Sequence, residues 1–149
     1  GSVPVHVTDF MTGRGRPRGG PLDGKGKRSL YVSVKRNFLS PMMLAFDTPV
    51  PFSSMGKRTV SNVPAQALIM MNDPFVHEQS SIWAKSFTDT KLNTTQIVEQ
   101  MYMKAFSRVP SGKELGAALE FLGEEKVDER KLTDFAHVIF NTKEFIFLR

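Results

Sequence analysis

The C-terminal third of the chain has the most regular hydrophobic pattern. Apolar residues recur there at intervals of three and four, which is the spacing of one buried face on a helix. Such stripes are stable only when they are covered, so we expect these helices to pack on one another and on a helix that begins at Pro74. The predicted buried faces contain Ile97, Val98, Met101, Tyr102, Ala105 and Phe106, then Leu115, Ala118, Leu119 and Leu122, then Leu132, Phe135, Ala136 and Ile139.

Polar residues mark where these helices begin. A serine, asparagine or aspartate side chain can accept a hydrogen bond from an N–H group in the first helical turn. A glutamate or glutamine three residues later can return a hydrogen bond to the cap, which forms a capping box. The predicted caps are Asn93 with Gln96, Ser111 with Glu114, Asp128, and Asn141 with Glu144.

The middle of the chain is punctuated by prolines, which favour helix starts and turns. Serine or aspartate directly before a proline predicts a helix start at positions 40 and 73. The prolines at 49 and 51 must end the first of these helices. The predicted elements are a short helix over 41–46, an irregular segment over 47–62, a short helix from Pro64, and a longer helix from Pro74 to about Phe87.

The N-terminal part has little apolar content. Residues 11–27 contain six of the eleven glycines and two prolines, so we expect a loop or mobile arm that cannot offset its ordering entropy. Beyond it, Leu30, Val32 and Val34 alternate with more polar residues, which predicts a strand. We therefore assign residues 1–27 to a tag remnant and arm, and residues 28–149 to a single domain. The expected fold is mainly α, a small orthogonal helical bundle with one short strand or hairpin and long irregular loops.

Composition limits the chemistry of the chain. Without cysteine it forms no disulfide, no cysteine-ligated zinc site and no covalent c-type haem attachment. Twelve phenylalanines against one tryptophan indicate apolar packing rather than a sugar-stacking surface, and the eight methionines are expected to fill core gaps. Residues 1–36 hold eight basic and two acidic side chains, and the remainder hold twelve and thirteen, so the formal net charge of +5 comes from the N-terminal segment. Electrostatic arguments about partners therefore concern that segment.

Several strings in the chain resemble one protein family. They are TDFMTGRGRPRGGPLDGKG at 8–26, RSLYVSVKRNFLSPMMLAFDTPVPFSSMGKRTVSNVPAQALIMMNDPFVHEQS at 28–80, AFSRVPSGKEL at 105–115 and NTKEF at 141–145. These strings are similar to the planctomycete-specific secreted domain catalogued as domain of unknown function 1553. The positions that match its most recognisable strings are Arg36, Asn37, Asp47, Pro49, Arg58, Gln66, Ala67, Leu68, Asn72, Asp73 and Pro74.

The resemblance implies a place in a larger protein. Members are large extracytoplasmic proteins, periplasmic or secreted, in which this domain follows a companion domain of unknown function and often a cytochrome-c-like domain. Full family domains begin well before this chain does, so the resemblance implies its C-terminal part. The family has no established activity and implies no catalytic residue. We expect a structural role, tying down irregular backbone, for Arg36, Asn37, Asp47, Arg58, Gln66, Asn72 and Asp73.

Acidic and histidine side chains are the candidates for a catalytic or metal-binding site. Asp47 and Asp73 have the composition of a carboxylate pair for glycoside hydrolysis, but their positions are those of a turn residue and a helix cap. His6, His77 and His137 are scattered and lack the short spacing of zinc or haem ligands. The sequence therefore predicts no metal site and no cofactor.

Basic residues of the arm offer another function. Arg14-Gly15-Arg16-Pro17, followed by Arg18, has the core of an AT-hook, in which arginines enter the DNA minor groove. The leading hypothesis is a non-catalytic structural or interaction module that docks on other domains of the same polypeptide, including a cytochrome-c-like domain. The alternatives are part of an enzyme that acts on extracellular polysaccharide, and a nucleic-acid binder that uses Arg14, Arg16 and Arg18.

Overall fold

The computed structural model describes residues 2, 4, 6–7, 19–22, 24–33, 35, 38–49, 63–88, 90–123 and 127–147. Within these ranges the chain is mainly helical, which confirms the predicted fold class. The chain divides into two compact units, unit 1 (Gly1–Phe75) and unit 2 (Val76–Arg149). The predicted boundary between arm and domain at residue 28 stays a prediction. The helices are α1 (Pro41–Ala45), α2 (Val63–Asn72), α3 (Pro74–Thr88), α4 (Thr94–Phe106), α5 (Gly112–Leu122), α6 (Glu129–Phe140) and α7 (Lys143–Ile146).

Unit 1 is built around the contact between α1 and α2. Helix α1 begins at the predicted proline, Pro41, with Ser40 in the N-cap position, although the Ser40 side chain makes no capping hydrogen bond. Phe38 and Met70 are buried in this unit, at 3% and 6% exposure. Met70 belongs to α2 and Phe38 precedes α1, whereas most of the irregular segment predicted over 47–62 lies outside the described residues.

The segment predicted as a strand from Leu30 to Val34 begins differently. Ser29–Tyr31 form a 3-10 helix, and Val34 lies outside the described residues. Leu30 is 83% exposed, Val32 is half-buried, and the backbone N–H groups of Tyr31 and Val32 bond within the local turn. Strand pairing in the described part of unit 1 includes an isolated antiparallel bridge between Lys35 and Phe38.

Unit 2 has a continuous apolar core, as the helical spacing predicts. Helix α3 contributes Ala84 and Phe87, which confirms that the Pro74 helix packs with the three helices that follow. Each buried apolar side chain of ordinary size contributes about 1.5–3 kcal/mol to folding, so this core supplies most of the driving force for the unit. The buried core residues are Ala84, Phe87, Ile97, Val98, Met101, Ala118, Leu122, Leu132, Phe135, Ala136 and Ile139.

Two predicted capping boxes are confirmed. The Gln96 N–H donates to the Asn93 side chain at 2.9 Å, and the Asn93 N–H donates to Gln96 Oε1 at 3.1 Å. The corresponding distances between Ser111 and Glu114 are 3.4 Å and 2.7 Å. Asp128 caps α6 as predicted, because its carboxylate accepts from the N–H of residue 130 at 3.4 Å. These side chains satisfy N–H groups that a helix start leaves without intrahelical partners.

The predicted cap at Asn141 with Glu144 is wrong. Thr142 caps α7, since its Oγ1 accepts from the Phe145 N–H at 3.3 Å. Asn141 instead closes α6, because its Nδ2 donates to the His137 carbonyl at 2.8 Å. The last carbonyls of α6 lack intrahelical donors, and the amide of Asn141 is close enough to satisfy one of them. None of the described helices is long and apolar enough to cross a membrane.

Candidate functional site

Some of the predicted site residues lie outside the part of the chain that the structure describes. Arg36, Asn37 and Arg58 lie outside the described residues, as do Arg14, Arg16 and Arg18 of the arm, so their proposed roles stay predictions. Gln66 is buried in α2 at 6% exposure, and its carboxamide makes no hydrogen bond to another described residue. Buried amides require partners, so the structural role predicted for Gln66 also stays a prediction.

Asp47 lies directly after α1. Its backbone φ is 60°, a left-handed conformation that aspartate tolerates better than most residues, and its N–H donates to the Leu44 carbonyl at 3.2 Å. The side chain is exposed. This is the geometry expected of a residue that ends a short helix and turns the chain.

Asn72 and Asp73 form the turn between α2 and α3. Asn72 Nδ2 donates to the Leu68 carbonyl at 2.8 Å, and the Asp73 N–H donates to the Ile69 carbonyl at 2.8 Å. The Asp73 carboxylate accepts from the Phe75 N–H at 2.9 Å. Both side chains are therefore engaged with backbone at a helix end or a helix start.

A cavity of about 500 Å³ in unit 1 adjoins Asp73, and we call it the Asp73 cavity. Its walls are mainly apolar, with Pro41, Met42, Phe46 and Phe75 among them. Three of its polar side chains carry hydroxyls, and Asp73 is the only carboxylate among the described residues that line it. The two flanking carboxylates that glycoside hydrolysis requires are therefore not assembled by this part of the chain.

The basic side chains of the Asp73 cavity are His6 and Lys27. His6 Nδ1 lies 2.9 Å from the Gly20 carbonyl oxygen, which fixes one ring nitrogen on backbone. A cavity with apolar walls and a few polar groups is the usual form of a small-molecule site. Its chemistry suits binding of an apolar ligand better than hydrolysis, because the Asp73 carboxylate is already engaged as a helix cap.

A second concave surface lies in unit 2, and we call it the Trp83 groove. The Trp83 ring stacks on Phe140, with centroids 5.2 Å apart and planes at 11°, and Phe140 contacts Phe145 at 4.9 Å. Ile82 and Phe145 remain 53% and 42% exposed. The groove has a volume of about 420 Å³ and is lined by Gln79, Ile82, Trp83, Ser86, Lys104, Ala105, Phe140 and Phe145.

Lys104 is the charged residue on the described wall of the Trp83 groove. Its Nζ lies 4.5 Å from the centroid of the Phe87 ring, a cation–π geometry that fixes the ammonium at the edge of the core. No acidic side chain in the described ranges forms an ion pair with Lys104. The groove therefore combines aromatic surface with a cation that forms no ion pair with a described carboxylate.

Arg108 joins three helix ends in unit 2. Its guanidinium donates two hydrogen bonds to Glu114, at 2.9 Å and 2.8 Å, and two to Glu144, both at 2.8 Å. It also lies 5.5 Å from the ring centroids of Tyr102 and Phe106. The hydrogen bonds that Arg108 donates to Glu144 and Glu114 raise the pKa of its guanidinium. This arrangement is a structural clamp, because the planar guanidinium binds both carboxylates through paired hydrogen bonds.

The same clamp changes the acidity of its partners. Hydrogen bonds from Arg108, and then from Ser111, hold the pKa of Glu114 at about 2, below its ordinary value of 4.5. Burial, with a further contribution from the charge of Glu114, raises the pKa of Tyr102. Glu114 is therefore ionised in the folded protein at neutral pH.

Two histidines that are distant in sequence meet in unit 2. The rings of His77 on α3 and His137 on α6 have centroids 4.2 Å apart and planes tilted by 35°. His77 is exposed and His137 is half-buried. Sequence spacing alone places them on separate helices and says nothing of their contact. The sequence patterns did not predict this pair, the Arg108 clamp or the Trp83 groove. The strings AFSRVPSGKEL and NTKEF contain Arg108, Glu114 and Glu144, but they do not show that these residues meet.

The described fold and surfaces define a mainly helical protein with a ligand-sized cavity and an exposed aromatic groove. Comparison with protein-family models matches residues 11–122 to PSD1, a protein of unknown function (DUF1553). The match covers most of the chain, so the chain belongs to this family, which confirms the resemblance that the sequence strings carry. The matched range ends before the closing string at 141–145, and the secreted and planctomycete character that the resemblance implies stays a prediction. No curated protein sequence and no solved structure matches the chain significantly.

Proposed function

We propose that this chain is a non-catalytic interaction module of a larger extracytoplasmic protein, and that the Trp83 groove binds another domain of the same polypeptide. The observation that carries the proposal is the exposed aromatic surface of the groove beside Lys104. The family resemblance implies partners of this kind, including a cytochrome-c-like domain. Any haem redox chemistry belongs to that domain, since the chain has no cysteine for c-type haem attachment.

The occupant of the groove is an apolar segment that carries a carboxylate. Covering apolar surface contributes about 25 cal/mol per Å², so aromatic or aliphatic side chains gain most by contacting Ile82, Trp83 and Phe145. A carboxylate of the same segment can reach Lys104, which has no acidic partner in the described part of the chain. A charge pair at the edge of an apolar contact adds orientation and specificity more than affinity.

The engagement of polar residues elsewhere supports a non-catalytic role. Asp73 caps α3, Asn72 closes α2, and Arg108 is committed to two carboxylates. A general acid or base must be able to exchange a proton with a substrate at hydrogen-bond distance. Side chains that are held by backbone or by an ion pair are better suited to fixing loops.

Binding of the other domains tests the proposal. The other domains of the natural polypeptide are expressed separately and titrated into the purified chain by calorimetry. We expect Phe145→Ala and Lys104→Glu each to weaken binding by about tenfold or more, as truncation of a central contact residue costs upwards of 1 kcal/mol. Helical circular dichroism checks that both variants fold.

Matched controls distinguish the groove from the rest of the surface. Val138 is an apolar residue of α6 outside the groove that is 58% exposed, compared with 42% for Phe145, and Lys131 is an exposed lysine of the same helix. Val138→Ala and Lys131→Glu should bind like the unchanged chain. Equal affinity of all four variants, or no binding by the unchanged chain, would exclude the groove as the docking site.

A second candidate function rests on the Asp73 cavity. An enzyme acting on extracellular polysaccharide needs a concave site near Asp47 or Asp73, and a cavity of about 500 Å³ adjoins Asp73. Under this alternative the second carboxylate comes from a part of the protein beyond the described residues. Reducing-sugar release from polysaccharides by the full-length protein, abolished in Asp73→Asn with unchanged helicity, would favour the enzyme over the interaction module.

A further inference from the structure

The pair formed by His77 and His137 has the composition of a metal-binding site. The two imidazole rings come from neighbouring helices of unit 2 and have centroids 4.2 Å apart. Exposure of His77 leaves the pair accessible from solvent. Imidazole is the preferred side-chain ligand of zinc, copper and nickel ions in proteins. A metal ion can therefore reach both rings without unfolding either helix.

We propose that His77 and His137 together bind a divalent transition-metal ion of the kind that prefers imidazole, such as Zn²⁺, Ni²⁺ or Cu²⁺. A metal–nitrogen distance of about 2.0–2.1 Å places two nitrogens on one ion roughly 3 Å apart. With ring centroids 4.2 Å apart, the proposal requires only that side-chain rotation bring one nitrogen of each ring to that separation. Each imidazole gives one nitrogen to the metal and leaves its other nitrogen for a hydrogen bond.

The surroundings of the pair favour a cation. Asp134 lies three residues before His137 on the same side of α6, and its carboxylate is exposed. His137 also belongs to the last turn of α6, where the helix dipole favours positive charge. No cluster of three or more ligating side chains occurs in the described residues, so water completes the coordination shell.

Binding would link α3 to α6 at the surface of unit 2. An ion that binds the folded state and not the unfolded state stabilises the fold in proportion to the logarithm of its concentration. The site therefore acts as a metal-dependent clasp between two helices, and it is independent of what the Trp83 groove binds.

Thermal unfolding of the full, untagged chain tests this inference. ZnCl₂ at about one hundred times its dissociation constant should raise the Tm by roughly 5 °C or more, and MgCl₂, which prefers oxygen ligands, should not. His77→Asn and His137→Asn should each weaken Zn²⁺ binding, measured by calorimetry, by about tenfold or more. Copper-loaded protein should show two nitrogen ligands by electron paramagnetic resonance.

His6 provides the control, because it belongs to unit 1 and is the remaining histidine of the chain. His6→Gln should keep the full zinc response. His77 is exposed, so His77→Asn is expected to fold even if His137→Asn does not, and its circular dichroism checks this. A zinc response that survives in His77→Asn, or one that is absent from the unchanged chain, overturns the inference.

Discussion

Arg108 and Glu144 are joined by two parallel hydrogen bonds of 2.8 Å across 36 positions of sequence. The same guanidinium holds Glu114 at the start of α5. One side chain that follows α4 therefore fixes the starts of α5 and α7. Planar, bidentate pairs of this kind are stronger and more directional than single surface ion pairs.

Replacement of Arg108 should lower stability in a graded way. Arg108→Ala removes all four hydrogen bonds to carboxylates, whereas Arg108→Lys keeps a charge that cannot bind two carboxylates bidentately. We expect the Tm to fall most in Arg108→Ala and less in Arg108→Lys. Thermal unfolding followed by circular dichroism measures both.

Lys85 offers the matched control for Arg108. Its ion pair with Glu129 has a distance of 3.7 Å, and both side chains are more than half exposed. Isolated surface pairs contribute little, so Lys85→Ala should leave the Tm almost unchanged. Equal losses in Lys85→Ala and Arg108→Ala would show that the clamp has no special role.

Acid should weaken the fold through Glu114. The pKa of Glu114 is about 2 in the folded protein and has an ordinary value of 4.5. A depressed pKa contributes stability that is complete above pH 4.5 and is lost as the pH falls towards 2. Chemical denaturation across this range should show a smaller decline for Glu114→Gln than for the unchanged chain. Parallel declines for the two proteins would contradict the assignment.

Asn93 should contribute to the stability of α4 through its cap. Asn93→Ala removes the acceptor for the Gln96 N–H and should lower the free energy of unfolding by about 1 kcal/mol. Asn93→Asp keeps an acceptor at the same place and should retain most of the stability. Urea unfolding compares the three proteins, and a neutral Asn93→Ala would rule out a stabilising cap.

Met101 and Met103 give a direct test of the core. They lie two residues apart on α4, and Met101 is fully buried whereas Met103 is 50% exposed. Met101→Ala should cost about 2–5 kcal/mol because it removes buried apolar volume and leaves a cavity. Met103→Ala should change the unfolding free energy by less than about 0.5 kcal/mol. Similar costs for the two variants would mean that the buried face of α4 is assigned wrongly.

Local signals in the sequence determined the helical part of this protein. The capping boxes at Asn93 and Ser111 depend on residues three positions apart, so they form as soon as the helix does. The buried face of α6 follows from the same short-range spacing. The family could also be predicted from the sequence, because a long matching string is much more specific than a four-residue motif. The strand predicted near Leu30 to Val34 starts later than the alternation indicates, because Leu30 and Tyr31 belong to a 3-10 helix and the extended backbone begins at Val32.

The tertiary structure decided the contacts that join distant positions. Sequence spacing assigns Glu144 to a cap with Asn141, yet Arg108 binds Glu144 because the fold brings the end of α4 beside the start of α7. The contact of His77 with His137 and the stacking of Trp83 on Phe140 arise in the same way. Short-range pattern specifies which face of a helix is apolar, but the neighbour of each exposed side chain depends on how whole helices pack.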